Sequence, residues 1–216
     1  MTNLANPIAR ADTAPRVPGG RPNLTTLVGL AAVVFSVLYL ISDLMELGQG
    51  GFSTSQLVVT YVAEAAIPLF VLGLWAVQLP RIGRLGLISA VLYAYTFVYF
   101  TGTVTYALVD GSGDWELLRQ RLGLWVTIHS ALMVVAGIGF GIAVIRARVL
   151  PWWTGATLIA GMGLMAAAAG LPAVAQTASA GVRDLAFAAM GAALLAPIIR
   201  HRAARPAGHL ASRLRA

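Results

Sequence analysis

The chain has 216 residues, 58% of them hydrophobic and 11% charged, with a mean hydropathy of +0.80 and a formal net charge of +7. A soluble domain carries about 25% charged residues. A chain this poor in charge cannot cover its own surface in water, so the composition excludes a soluble globular protein and predicts an integral membrane protein, one bundle long, with no room for a separate soluble domain.

Residues 1–23 are polar and contain Pro7, Pro15, Pro18 and Pro22, which predicts a disordered lead-in. It is too polar for a signal peptide. The apolar run behind it is longer than a signal h-region, so it is expected to stay as an anchor. Six apolar stretches then have spanning length, near 26–47, 57–79, 85–109, 123–145, 152–172 and 181–199. The predicted fold class is all-α, a polytopic transmembrane helical bundle of about six spans over residues 24–200, followed by a basic tail over 201–216.

In the first span Ser36, Tyr39, Asp43 and Glu46 recur at spacings of three and four, which puts them on one stripe. Glu46 reads as an interfacial cap. In the second span Thr60 and Glu64 lie one turn apart, and Pro68 cannot donate to the carbonyl of Glu64. A kink is expected there, with a freed carbonyl beside the carboxyl group and Tyr61 close by, a corner suited to handling protons. In the third span Tyr95, Tyr99, Thr103, Tyr106 and Asp110 form a second polar and aromatic edge.

The segment DGSGDWELLRQR, residues 110–121, predicts a turn and a short interfacial helix capped by Asp114, with Trp115 and Leu118 in the headgroup layer. Its acids lack the spacing of a calcium loop. The fourth span places Trp125, His129 and Met133 on one face, and carries Gly137 and Gly141 as a GxxxG pair. Those glycines are expected to pack the bundle internally, with a homodimer as the other option. The fifth span is rich in alanine and glycine. The sixth is expected to open at Asp184, beside Arg183, with the two side chains on different faces of the helix; Arg183 is then free to oppose Glu64 or to pair with Asp110.

All fifteen basic residues are arginine, a usage typical of GC-rich bacterial genomes. Twelve of them fall on one side of the proposed spans; only Arg119, Arg121 and Arg183 fall on the other. This is the positive-inside pattern and predicts both termini in the cytoplasm, in a bacterial inner membrane. The basic surplus is accounted for by topology and by contact with membrane lipid, so no nucleic acid partner is expected.

The site follows from depth. Counting 1.5 Å per residue puts Glu64 roughly 10 Å from the outer boundary, with His129 at a similar depth and Asp43 shallower. Ionisable groups inside spans face a bundle interior or a wet cavity. Glu64, Asp43, Asp184 and His129 are the candidate catalytic residues, and Tyr39, Tyr61, Tyr95, Tyr99, Thr103, Tyr106 and Trp125 the candidate substrate-binding residues. Taken singly, Glu64 also reads as a protonated structural residue and His129 as a buried hydrogen-bonding one; the weight rests on their gathering at one level.

The absence of cysteine excludes disulfides, thiolate-bound zinc, iron–sulfur clusters and covalent haem. A single intramembrane histidine excludes a bis-histidine cytochrome, and no phosphate-binding loop is present. A metal held by Glu64, Asp43 and His129 is the lesser option, so no metal and no cofactor is expected.

The stretch DLMELGQGGFSTSQ ahead of TYVAEAAIP, with the pattern around it, resembles six-helix integral membrane proteins of GC-rich bacteria. The resemblance covers most of the chain and implies the class alone, with no activity or site residues. Two functions fit the residues. One is a membrane enzyme in which Glu64 protonates a lipophilic, isoprenoid-like substrate, Asp43 or Asp184 assists, and aromatic rings shelter a carbocation, as in a protonation-initiated cyclisation. The other is a proton-coupled transporter or transport accessory subunit, with Glu64 and His129 as the relay. A structural membrane partner stays open beside them. The apolar inner half favours a one-sided pocket, and so the enzyme.

Overall fold

The structure is a computed structural model that describes the backbone of residues 23–213 and the side chains of residues 23–196. The expected lead-in and the arginine side chains of the tail lie outside the described residues. The chain folds into seven helices with no strand among the described residues: α1 (Leu24–Gln49), α2 (Thr54–Ala76), α3 (Gly83–Asp110), α4 (Trp115–Leu122), α5 (Leu124–Ala147), α6 (Trp152–Ala168) and α7 (Ala173–Arg213).

The helix ends are written locally. Asn23, Ser53 and Asp114 stand at the N-caps of α1, α2 and α4, each accepting from a backbone N–H of the first turn, and Gly50 and Gly111 close α1 and α3 in the left-handed region that suits glycine. Pro68 does not interrupt α2, which runs helical from Thr54 to Ala76.

Among the described residues five helices are long and apolar enough to cross a membrane: α1, α2, α3, α5 and the Ala173–Ala196 part of α7. α6 is apolar but has 17 residues, about 26 Å of helix. Six long helices pack in a closed ring in the order α1, α2, α3, α5, α6, α7, with α7 returning to α1. We call the end carrying the α1–α2, α3–α4–α5 and α6–α7 connections the upper end, and the opposite one the lower end.

The exterior is as apolar as the core. Leu69, Val98 and Val135 are 75%, 63% and 66% exposed, whereas Glu64, Arg183 and Asp184 are each 3% exposed. An apolar exterior with the charged side chains drawn inside is the arrangement a bilayer imposes.

The last span departs from expectation. α7 begins at Ala173, just after Pro172, and not near 181. Arg183 and Asp184 therefore sit almost three turns inside the helix instead of at its mouth. The helix also continues through Arg213, so no backbone break separates a span from a tail at residue 200.

The glycines draw the ring tight. A methyl group at Gly141 would stand 2.7 Å from the carbonyl oxygen of Gly155, and one at Gly191 only 2.5 Å from that of Gly29. Gly137 packs against Met162. The GxxxG pair of α5 is thus used within the bundle, against α6.

Candidate functional site

Tyr39 lies ten residues before the upper end of α1, Glu64 ten residues after the upper end of α2, and Arg183 ten residues after that of α7. At 1.5 Å per residue each is about 15 Å along its helix. The three residues thus share one level near the middle of their helices, further from the upper end than the roughly 10 Å counted for Glu64 from the sequence. The difference arises because α2 starts at Thr54 and α7 at Ala173, earlier than hydropathy alone places them.

At this level Tyr39 donates from its hydroxyl to Glu64 Oε1 at 2.7 Å. Arg183 donates from Nε to Asp184 Oδ1 at 2.8 Å, and its Nη2 stands at the same distance from that oxygen. The guanidinium lies over the Tyr39 ring, 4.6 Å from its centroid, and 5.8 Å from that of Phe97. Asp43 stands four residues after Tyr39, one turn higher on the same face of α1. Gly161 of α6 supplies the close approach, since a methyl there would meet the backbone nitrogen of Arg183 at 2.7 Å.

The sequence argument sends Arg183 and Asp184 to different faces; the structure pairs them. Adjacent Cβ atoms do diverge on a helix, but the arginine side chain is long enough to fold back onto its neighbour. Asp110 takes Arg121 as its ion partner, not Arg183. Tyr61 is 44% exposed and contributes nothing to the Glu64 corner, where Tyr39 from the neighbouring helix stands instead.

Several buried polar atoms of the cluster have no hydrogen-bond partner in the protein: Glu64 Oε2, Asp184 Oδ2, the Tyr93 hydroxyl and the Ser36 hydroxyl. Burying such atoms without partners is costly, so the cluster is the place in the bundle with polar capacity to spare. Tyr93 is 1% exposed, and its ring lies 5.1 Å from Phe97 and 5.5 Å from Phe187, so an aromatic layer floors the cluster.

His129 belongs elsewhere. It is five residues from the upper end of α5, about 7.5 Å along the helix. Nδ1 donates to the Trp125 carbonyl at 2.7 Å, which fixes the tautomer and leaves Nε2 to accept from the Tyr95 hydroxyl at 3.2 Å. The imidazole stacks on Tyr99 at 3.6 Å. Neither nitrogen bonds an acid, so no hydrogen bond joins His129 to Glu64 or Asp43. Among the described residues no group of three or more His, Cys, Asp or Glu side chains is arranged to hold a metal.

The remaining candidates divide. Tyr95, Tyr106 and Trp125 are 52%, 41% and 63% exposed on the apolar exterior. Thr103 is buried and donates to the Phe100 carbonyl at 2.8 Å. Of the expected substrate-binding set, only Tyr39 joins the acids.

Sequence reasoning missed a second polar group above the cluster. Gln56 donates from Nε2 to Ser42 Oγ at 3.1 Å and to Thr60 Oγ1 at 2.9 Å, and the Ser42 and Thr60 hydroxyls bond each other. Extending the Thr60–Glu64 stripe one turn upward would have found Gln56. A cleft of about 240 Å³ opens at the upper end between the start of α2 and the end of α3, lined by Phe52, Thr54, Leu57, Leu108 and Ser112 among others.

Compared with protein families, with curated proteins and with solved structures, the chain finds no match.

Proposed function

We propose that the chain is a six-span protein of a bacterial inner membrane, with both termini cytoplasmic, that takes up and releases protons at the carboxyl cluster in its core and couples this to moving a small solute. One observation carries the reading. The one guanidinium of the cluster, Arg183, pairs with Asp184 and lies over the ring of Tyr39, whose hydroxyl donates to Glu64, and Asp43 stands one turn above Tyr39 on α1, so three carboxyl groups gather around a single cation. The cluster is thus two protons short of neutrality when every carboxyl is ionised, and an apolar bundle tolerates uncompensated charge poorly. A site near the middle of the helices suits a carrier, which must reach it from both faces in turn, while the apolar seam below it is what favours the enzyme.

The test is proton binding by the purified protein. After a pH jump in weakly buffered detergent, a pH-sensitive dye is expected to report proton uptake by the wild type and about one proton less by Glu64→Gln. A folded Glu64→Gln protein that takes up as many protons as the wild type would sink the reading.

The aromatic layer beside Glu64 favours a second reading. There Glu64 performs acid–base chemistry on a lipophilic, isoprenoid-like molecule that enters from the bilayer, with Tyr39, Tyr93 and Phe97 turning ring faces and edges toward it. Mass spectrometry of co-purifying molecules separates the two: an isoprenoid bound to wild type and lost in Glu64→Gln supports the enzyme, and phospholipid alone in both supports the carrier.

A further inference from the structure

The seam between α1 and α2 is polar in its upper half and apolar below. Gln56, Thr60 and Glu64 follow one another at four-residue spacing, so they occupy successive turns of one face of α2. Ser42 meets the first two from α1, and Tyr39, three residues back along α1, meets Glu64. Gln56, Ser42, Thr60 and Glu64 are 2%, 0%, 7% and 3% exposed. Below Glu64 the buried face of α2 continues as Ile67, Phe70, Val71 and Leu74. The strip begins beside the upper cleft, whose wall includes Leu57, the residue after Gln56, and Ser53, whose hydroxyl caps Gln56 N.

Ser42, Gln56 and Thr60 bond one another across the seam, as polar side chains do between membrane helices, yet these bonds do not use every polar atom of the strip. Gln56 Oε1 is buried without a partner at the head of the strip, and Glu64 Oε2 likewise at its foot. Both ends offer an acceptor, and the hydroxyls between them can donate and accept at once.

We propose that the upper α1–α2 seam is the route by which protons pass between the upper surface and Glu64, entering at the cleft and running through water and the hydroxyls of Ser42 and Thr60. The inference rests on the proton-handling reading of the cluster. At each hydroxyl one proton is accepted on a lone pair and the resident proton is passed on. Ser42 and Thr60 are returned unchanged, and the net result is one proton moved from cleft water to the Glu64 carboxylate. Gln56 does not carry the proton; it positions the two hydroxyls, donating to both from one amide nitrogen. The apolar lower seam makes the route one-sided in this conformation.

The experiment follows the Glu64 carboxylic-acid band by infrared spectroscopy in bilayer discs, first at equilibrium and then in time after a pH jump. Thr60→Val keeps the shape and removes the relay; it is expected to slow protonation of Glu64 at least about tenfold while leaving its equilibrium titration in place, and Thr60→Ser is expected to restore the rate. A second arm leaves the core untouched. The chain has no cysteine, so Thr54→Cys at the cleft rim can be labelled alone with a bulky thiol reagent, which is expected to slow protonation in the same way. Wild-type rates in the labelled protein, or in a folded Thr60→Val protein, would overturn the route and leave the titrating cluster standing. A wild-type spectrum in which no band assigned to Glu64 changes with pH would overturn the proton-handling reading, and the route with it.

Discussion

An arginine with 3% of its surface exposed in the middle of an apolar bundle must be held in place, and Arg183 is held by two unlike contacts. Asp184 gives it an ion pair at 2.8 Å, and Tyr39 gives it a ring face at 4.6 Å. Removing the guanidinium leaves Asp184 buried with no cation, so Arg183→Leu is expected to cost about 3–5 kcal/mol in unfolding from mixed micelles. Arg183→Leu with Asp184→Leu removes both charges and is expected to cost less than Arg183→Leu alone. Equal losses in the single and double variants would mean that packing, not charge, sets the cost. Tyr39→Phe deletes only the hydrogen bond to Glu64 and is expected to cost about 1 kcal/mol in the same assay. At this scale the sequence was partly legible. Glu64, Asp43 and Asp184 stood out because acids are rare in apolar spans, and the stripe on α1 correctly joined Tyr39 to Asp43. The partners were not legible: which tyrosine faces Glu64 depends on the register between α1 and α2, and Tyr61, nearer in sequence, turns outward.

Among the elements, α7 was the hardest to read. Gln176, Ser179, Arg183 and Asp184 lower the mean hydropathy of its span to 1.3, against 2.4 for α1, so an apolar window slides toward the alanine-rich end. Pro172 was the available signal, since proline favours the start of a helix. The helix pairs are set by glycine contacts that the GxxxG pattern announced on α5 and left unannounced on α1 and α7. Gly191→Ala places a methyl 2.5 Å from a backbone oxygen that cannot swing away, and Gly155→Ala one at 2.6 Å. Each is expected to destabilise the bundle by about 1–3 kcal/mol in thermal unfolding. Gly163→Ala, on α6 with nothing within 4 Å, is expected to be neutral or slightly stabilising, because alanine favours a helix. The short helix α4 and its cap were read correctly, since Asp114 Oδ1 accepts from Leu117 N at 2.8 Å, but Leu118, expected in the headgroup layer, is buried against Leu57, Val104 and Ala107. On it, hydrogen bonds from Arg119 and Gln120 hold the Glu116 carboxyl below its ordinary value. A group lowered in the folded state adds stability that is complete above its unfolded pKa and fades as pH falls through the folded one. Amide protection over residues 115–122 is therefore expected to hold at neutral pH and to weaken in acid; the pair is fully solvated, so the change is small.

At the scale of the whole molecule the open question is whether α6 crosses. Its 17 residues give about 26 Å, a few ångströms under the usual core, a mismatch that local thinning of the bilayer accommodates at modest cost. Its position in the closed ring argues for crossing, because α6 packs along both α5 and α7, which are long enough to span. Trp152 and Trp153, 66% and 47% exposed at its lower end, sit where aromatic side chains anchor a helix at the interface. The charge pattern agrees: Arg81 and Arg84 lie at the α2–α3 connection and Arg146 and Arg148 at the α5–α6 connection, both at the lower end of the ring. If all six helices cross, the α3–α4 and α6–α7 connections share one face, and the two arginine-bearing connections share the other. Single cysteines at exposed positions that spare the arginines test this directly. In intact cells an impermeant thiol reagent is expected to label Gly113→Cys and Leu171→Cys, and to reach Leu79→Cys and Val149→Cys only after lysis. Labelling of Gly113→Cys without Leu171→Cys would mean that α6 turns back at the lower face. The remainder of α7 would then emerge on the opposite side, and Arg183 would no longer share a level with Glu64. The topology and the shared level of Tyr39, Glu64 and Arg183 therefore stand or fall on the same short helix.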